Sequence, residues 1–300
     1  MVRRENRMYE DYFNLSEKPF NLTPDPSFLY LSKSHKEALD HLHYGLMRGE
    51  GFMCIYGDVG LGKTTVCREL IKKLDGDFVT SLVLNPFLSE KDFFRSVLKD
   101  FGVRAATGTK KDLLDRLNRF LLRKASSGKK PVIIIDEAQN LSPMLLEQIR
   151  IISNLEADKF KLVQIVLVGQ IELKEILSSR GLRQLNQRIT VRYEIKPLGL
   201  EDTRNYIYHR LAKAGSRGDV SFSAGAFRQI YRLTGGVPRL INVISDRALL
   251  SAYVRNSKSI DRMDIQEGVR SLGESEGLMR KTRAPFDLLF GNQGILRSFL

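Results

Sequence analysis

From Gly51 to about Ile195, short apolar runs alternate with longer stretches of helical periodicity. Phe52–Tyr56, Phe78–Leu84, Val132–Asp136, Leu162–Gly169 and Thr190–Ile195 are short and rich in apolar residues, and they read as strands. Thr64–Lys73, Glu90–Phe101, Lys110–Ala125 and Pro143–Asn154 carry the three-to-four spacing of amphipathic helices. Such alternation predicts an α/β fold, a parallel sheet sandwiched by helices.

Either side of this core the pattern changes. Upstream, EKPFNLTPDPSFLYLS is dense in turn formers and aromatics, and Pro19, Pro24 and Pro26 preclude a long helix. We read it as an ordered strap leading into a helix over His35–Met47, where Ala38, Leu39, Leu42 and Leu46 share a face and Ser34 is placed to cap the start. After Pro197 the strands stop, and Glu201–Ala214, Ser223–Thr234, Pro238–Asn256 and Arg262–Leu272 read as a small helical domain. The expected divisions are a strap and leading helix over 1–50, a core over 51–197, a helical lid over 198–272 and a tail over 273–300.

Composition changes the picture in several respects. The chain of 300 residues, 42% hydrophobic, has enough material for one large α/β domain with a smaller satellite. A formal net charge of +13 makes its surface attractive to polyanions, whether nucleic acid, anionic lipid or an acidic protein face, although a plain solvated surface reads equally well. The start, MVRRENRMYEDYF, lacks the apolar run of a signal peptide, and no later stretch approaches the roughly 18–20 apolar residues of a membrane span, so we expect a cytoplasmic protein with no integral membrane segment. Cys54 and Cys67 have no partner Cys or His pair at metal-ligand spacing and read as reduced, packed thiols. His35, His41, His43 and His209 form no metal constellation and read as structural or solvent-facing.

The chemistry concentrates at Gly57-Asp58-Val59-Gly60-Leu61-Gly62-Lys63-Thr64, followed by Thr65. The run matches G-x-x-x-x-G-K-[ST] in full, directly after an apolar strand and directly before a helix-forming stretch. Its glycines let successive N–H groups converge on phosphate oxygens, and the helix that follows adds its positive N-terminal end. ATP is the expected ligand, with Lys63 spanning the β- and γ-phosphates and the Thr64 hydroxyl coordinating Mg2+. A chance glycine turn is the bland alternative.

Pro131–Ile135 delivers Asp136 and Glu137 to the end of a buried strand. Asp136 is the expected second anchor of the metal, and Glu137 the group that polarises the attacking water. The two acids could instead cap the helix that begins near Ser142-Pro143. The next strand carries Gln170 to the same sheet edge, either to sense the γ-phosphate and orient water or to cap a loop. Arg183 and Arg188 precede the last strand, placed to reach a neighbouring subunit's nucleotide or to form surface ion pairs. Arg239 opens a helix after Gly235-Gly236-Val237-Pro238, a geometry suited to an arginine that swings onto a phosphate.

Taken together, the strand and phosphate loop, the Asp-Glu pair, the polar residue after the fourth strand, Asn-Gln-Arg before the fifth and Gly-Val-Pro-Arg in a helical lid resemble AAA+ ATPases. More narrowly, PFNLTPDPSFLYLSKSHKEAL, GFMCIYGDVGLGKTT, VLVGQIEL and LNQRITVRYEIKPL resemble general secretion pathway protein A and its relatives in pilus and polysaccharide export, from about Met8 to Leu272. That resemblance implies a first sensor at Gln170, an arginine finger at Arg188 and a second sensor at Arg239. It also implies a homo-oligomeric ATPase working with secretion or envelope-assembly proteins, in the cytoplasm or peripherally at the inner membrane. Longer members of that family continue into a transmembrane helix and a peptidoglycan-binding domain, and from its length we expect neither in this chain. Its apolar, glycine-interrupted stretch Ala284–Leu300 reads as a docking segment or a frayed end. The competing expectation is a DNA-binding transposition helper or initiator-like ATPase, which shares the same sensors and explains the positive charge.

Overall fold

A computed structural model describes residues 8–23, 25–84, 88–104, 107–157 and 160–279. The expected docking segment Ala284–Leu300 lies outside the described residues. The chain divides into two compact units: Lys33–Asp58 with Gly62–Lys196, and Met1–Ser32 with Val59–Leu61 and Pro197–Leu300.

The first of these units is built on five parallel strands: β1 (Phe52–Tyr56), β2 (Phe78–Val83), β3 (Lys130–Ile135), β4 (Gln164–Gly169) and β5 (Ile189–Glu194). They lie in the order β2-β3-β4-β1-β5. β1 and β4 are buried at every position, which is why their sequences run apolar without alternation. The register sets Tyr56 beside Gly169 and Ile135 beside Leu167, so three strands end together at the carboxyl edge of the sheet. The observed strands start and stop within two residues of the sequence reading.

Helices cover this sheet because each buries the apolar stripe seen in the sequence. They are α2 (Lys33–Arg48), α3 (Lys63–Lys73), α4 (Glu90–Asp100), α5 (Lys110–Ser126) and α6 (Pro143–Ile152), after a short α1 (Tyr9–Tyr12) in the strap. Phe93, Phe94, Leu117 and Leu121 of α4 and α5 join Phe52, Cys54, Ile133, Ile135 and Leu167 in one core cluster. Thr109 caps α5 through a reciprocal capping box with Asp112, and Ser142 caps α6 ahead of Pro143. Two short helices absent from the sequence reading, α7 (Glu172–Ser178) and α8 (Arg183–Arg188), bridge β4 and β5. The expected Ser34 cap is not observed: α2 begins at Lys33, and the Ser34 hydroxyl instead accepts the Lys196 N–H at 2.9 Å. That hydroxyl serves the end of β5, not the start of its own helix.

The other unit is helical: α9 (Leu200–Lys213), α10 (Ala224–Thr234), α11 (Pro238–Val254) and α12 (Arg262–Met279). The strands do not stop entirely after Pro197, because Ser221–Phe222 pairs in parallel with Ser259–Ile260. Two residues are too few to leave a period in the sequence. A two-residue hairpin, Glu156–Ala157 with Phe160–Lys161, escaped notice for the same reason. The strap belongs to this helical unit, whose N-terminal part ends at Ser32. Tyr9, Phe13, Leu15, Phe20 and Phe28 are buried with Tyr206, Ile207, Ile241 and Ala248. Arg210 fastens the strap, its guanidinium lying 4.8 Å from the centroid of the Phe28 ring and donating to the Pro19 and Asn21 carbonyls.

Candidate functional site

The loop from Gly57 to Gly62 joins β1 to α3 at the carboxyl edge of the sheet. Gly62 immediately precedes α3 with φ +83°, a left-handed conformation that costs an ordinary residue about 1–2 kcal/mol. A Cβ there would also sit 3.2 Å from Nε2 of the buried His35. Both facts call for glycine. The Gly62 carbonyl accepts the N–H groups of Thr65 and Val66, starting the helix without a side-chain cap. The first turn therefore keeps its positive end directed into the loop.

Lys63 is buried, and its ammonium donates to the Gly57 and Asp58 carbonyls at 2.9 Å each. Burial pulls its pKa below the usual lysine value, while the nearby Glu137 and Asp136 carboxylates oppose that shift. The Thr64 hydroxyl donates to Asp136 Oδ2, and the Glu137 N–H donates to Oδ1 at 2.9 Å. Asp136 is 2% exposed, and burial raises its pKa above the ordinary aspartate value despite those bonds.

This burial has a consequence for stability with a definite sign. Below about pH 3.8, the ordinary aspartate value, Asp136 is protonated in both folded and unfolded chains, and no charge is buried. As pH rises from there through the raised folded value, the folded state is penalised for its anion. Asp136→Asn should therefore stabilise the protein at pH 7 by about 1 kcal/mol, because the Thr64 hydroxyl can turn to accept from the new amide. Urea unfolding without nucleotide or metal should show that gain, and show it shrink as pH falls toward 4 and vanish toward about pH 3.

Glu137 follows with φ +53°, left-handed for a non-glycine residue. Its side chain caps neither the short 3₁₀ turn Ala138–Asn140 nor α6, which Ser142 caps. Its Oε2 instead accepts Gln139 Nε2 at 2.6 Å and Gln170 Nε2 at 3.1 Å. The Gln170 N–H donates in turn to Gln139 Oε1 at 2.9 Å.

Lys63, Thr64, Asp136, Glu137 and Gln170 thus meet at one sheet edge, drawn from two strand ends and one helix start. Arg188 does not join them. It ends α8 directly before Ile189, which pairs with Phe52 at the start of β1, so the length of that strand, about 16 Å, separates it from the loop. Its charge instead helps hold Glu147 below the usual glutamate range, after the bond from Arg150. Arg183, with Arg180, Gly181, Gln184 and Glu147, lines an open cleft of about 370 Å3. Arg239 is exposed in the first turn of α11, within the helical unit that also includes Val59–Leu61. There a Cβ on Gly60 would fall 2.8 Å from the Arg239 Cβ, so the glycine permits that approach. The sequence reading missed Gln139, since a glutamine two residues after Glu137 has no local pattern to mark it.

The sheet order, the loop and the acidic strand end define a P-loop nucleotide-binding protein of the AAA+ class. Residues 46–177 match the family described as AAA domain. Solved structures share the fold: Cdc6p from Pyrobaculum aerophilum, at 19% identity and TM-score 0.63, covers 83% of this chain and 71% of its own. The Aeropyrum pernix ORC1 protein in complex with DNA, at 20% identity and TM-score 0.61, covers 90% and 73%. Within the class, the chain is 43% identical over 280 residues, 91% of its length, to general secretion pathway protein A of Aeromonas hydrophila. It spans about half, 51%, of that relative's length.

Proposed function

We propose that the protein is a Mg2+-dependent ATPase whose nucleotide-driven conformational change or oligomerisation supports an envelope secretion, pilus or exopolysaccharide export system. The observation that carries this reading is the contact between the Thr64 hydroxyl and the buried Asp136 carboxylate beside the Lys63 ammonium. Two hard oxygen donors at the mouth of a phosphate loop suit Mg2+, which prefers one or two protein ligands and takes the rest from phosphate and water. Bound with the nucleotide, the ion supplies charge neutralisation of the phosphate oxygens.

The chain's own residues divide the remaining work. The Gly57–Thr65 backbone and Lys63 cradle the phosphates, Glu137 orients and polarises the attacking water, and Gln170 senses the γ-phosphate through its bond to Glu137. Arg239 acts as the second sensor. Arg188 acts on a neighbouring copy's nucleotide, since it stands a strand length from its own loop. Low turnover by isolated subunits follows, and a homo-oligomer is the active form. Similarity to general secretion pathway protein A favours the export role at the cytoplasmic side of the inner membrane. Among the described residues no helix is long and apolar enough to cross a membrane.

A second reading, a DNA-binding transposition helper or initiator-like ATPase, draws on the charge of +13 and on the fold shared with the Aeropyrum pernix protein solved with DNA. Steady-state ATP hydrolysis across protein concentration, with and without duplex DNA and with Lys63→Ala as control, separates the two. A specific rate that rises with concentration and ignores DNA supports the export ATPase. Strong, salt-sensitive stimulation by DNA would put the second reading first.

A further inference from the structure

Gln139 holds an unusual position among the polar groups of the sheet edge. It bonds both of the neighbours on which the proposed water activation depends, donating to Glu137 Oε2 at 2.6 Å and accepting from the Gln170 N–H at 2.9 Å. The orientation of its amide is dictated chemically. A backbone N–H can only donate, so the atom facing Gln170 is the oxygen, and the NH2 is left for the carboxylate. Gln170 Nε2 reaches the same Oε2, and with the Gln170 backbone N–H the three residues close a ring of hydrogen bonds. Glu137 Oε1 has no protein partner among the described residues, so one carboxylate oxygen is anchored and the other can take water.

Two further features show that this arrangement is built. Glu137 keeps a left-handed backbone at φ +53°, which is costly for a non-glycine residue and persists only where its surroundings hold it. At Gly169, the last residue of β4, a Cβ would meet Gln139 Oε1 at 2.9 Å and Leu173 Cδ2 at 2.7 Å. The strand end is bare where the Gln139 carbonyl must pass to reach Gln170.

We propose that Gln139 is a positioning residue for hydrolysis: it ties the Glu137 carboxylate by one oxygen to the end of β4, so that the other oxygen faces the attacking water. Gln139 has this role only if Glu137 orients that water, as proposed above. It touches neither nucleotide nor water itself.

The test uses two variants with different losses. Gln139→Leu removes both bonds but keeps bulk over Gly169, whereas Gln139→Glu keeps an acceptor for the Gln170 N–H and loses the donor to Glu137. Both should lower kcat for ATP hydrolysis about 10- to 100-fold with KM unchanged, the range expected when a hydrogen bond to a charged group is lost. Amide hydrogen exchange in the nucleotide-free protein supplies the second readout: Gln170 should exchange at least about 10-fold faster in Gln139→Leu and at the parent rate in Gln139→Glu. Should the leucine variant fail to fold, the glutamate variant alone decides. A parent kcat in Gln139→Glu, or a loss confined to KM, overturns the proposal. Glu137→Gln serves as reference: if it is inactive while Gln139→Glu is fully active, only the role of Gln139 falls. If Glu137→Gln hydrolyses ATP at the parent rate, the roles of both residues fall.

Discussion

Glu137→Gln should bind ATP and hold it, with hydrolysis reduced about 10²- to 10⁴-fold, the usual contribution of a positioned general base. The substitution is nearly isosteric, and the new amide carbonyl can still accept from Gln139 and Gln170, so the sheet edge should keep its shape. What is lost is the negative oxygen that draws a proton from water. Because the phosphate loop, Lys63 and the Thr64–Asp136 pair are untouched, nucleotide affinity should change little. The variant should therefore accumulate in whatever oligomer ATP favours, visible by light scattering with ATP and absent with ADP. A parent hydrolysis rate would remove Glu137 from its assigned role.

Removing the arginine at the far end of the sheet should have an effect as large, by another route. An arginine finger contributes about 10³- to 10⁵-fold in rate where it is used. Arg188 lies about 16 Å along the strands from its own phosphate loop, so the finger role proposed for it requires a neighbour's nucleotide. Arg188→Ala should nearly abolish hydrolysis, leave ATP binding intact, and flatten the dependence of specific rate on protein concentration. Mixing it with Lys63→Ala provides a sharper check. Each variant alone is inactive, yet a junction that joins the nucleotide site of the first to the Arg188 of the second holds one complete set of groups. Recovered hydrolysis in the mixture is the expected result; two inactive proteins that stay inactive together would count against action between subunits.

Much of the core was legible because its signals are local. A strand buried on both faces must be apolar throughout, and a phosphate loop must place glycines where the backbone turns left-handed. Both conditions write themselves into consecutive residues, as Phe52–Tyr56 and Gly57–Thr64 do. The helices α3, α4, α5 and α6 were found for a similar reason, since each turns one apolar stripe inward. Elements of two residues carry no period, and so the pairing of Ser221–Phe222 with Ser259–Ile260 could not be seen. Ser34 misled because a serine before an apolar stripe suits a cap, while its hydroxyl was claimed by Lys196 from 162 residues away.

The same division runs through the candidate site. Sequence alone determined which chemical groups are present and which strand or helix end carries each, because a motif is a statement about neighbours along the chain. Only the tertiary structure decided which of those ends meet. Parallel register brought Tyr56, Gly169 and Ile135 to one edge, which put Gln170 on Glu137 and left Arg188 a strand length away. It joined the strap to the helical unit through aromatic side chains whose partners lie about 200 residues downstream. It also gave Gln139 its two partners, one of them 31 residues away, across a glycine that has no space for a Cβ. Hydrogen bonds and close packing act over about 3–4 Å of space whatever the separation along the chain, so no period or spacing in the sequence records them.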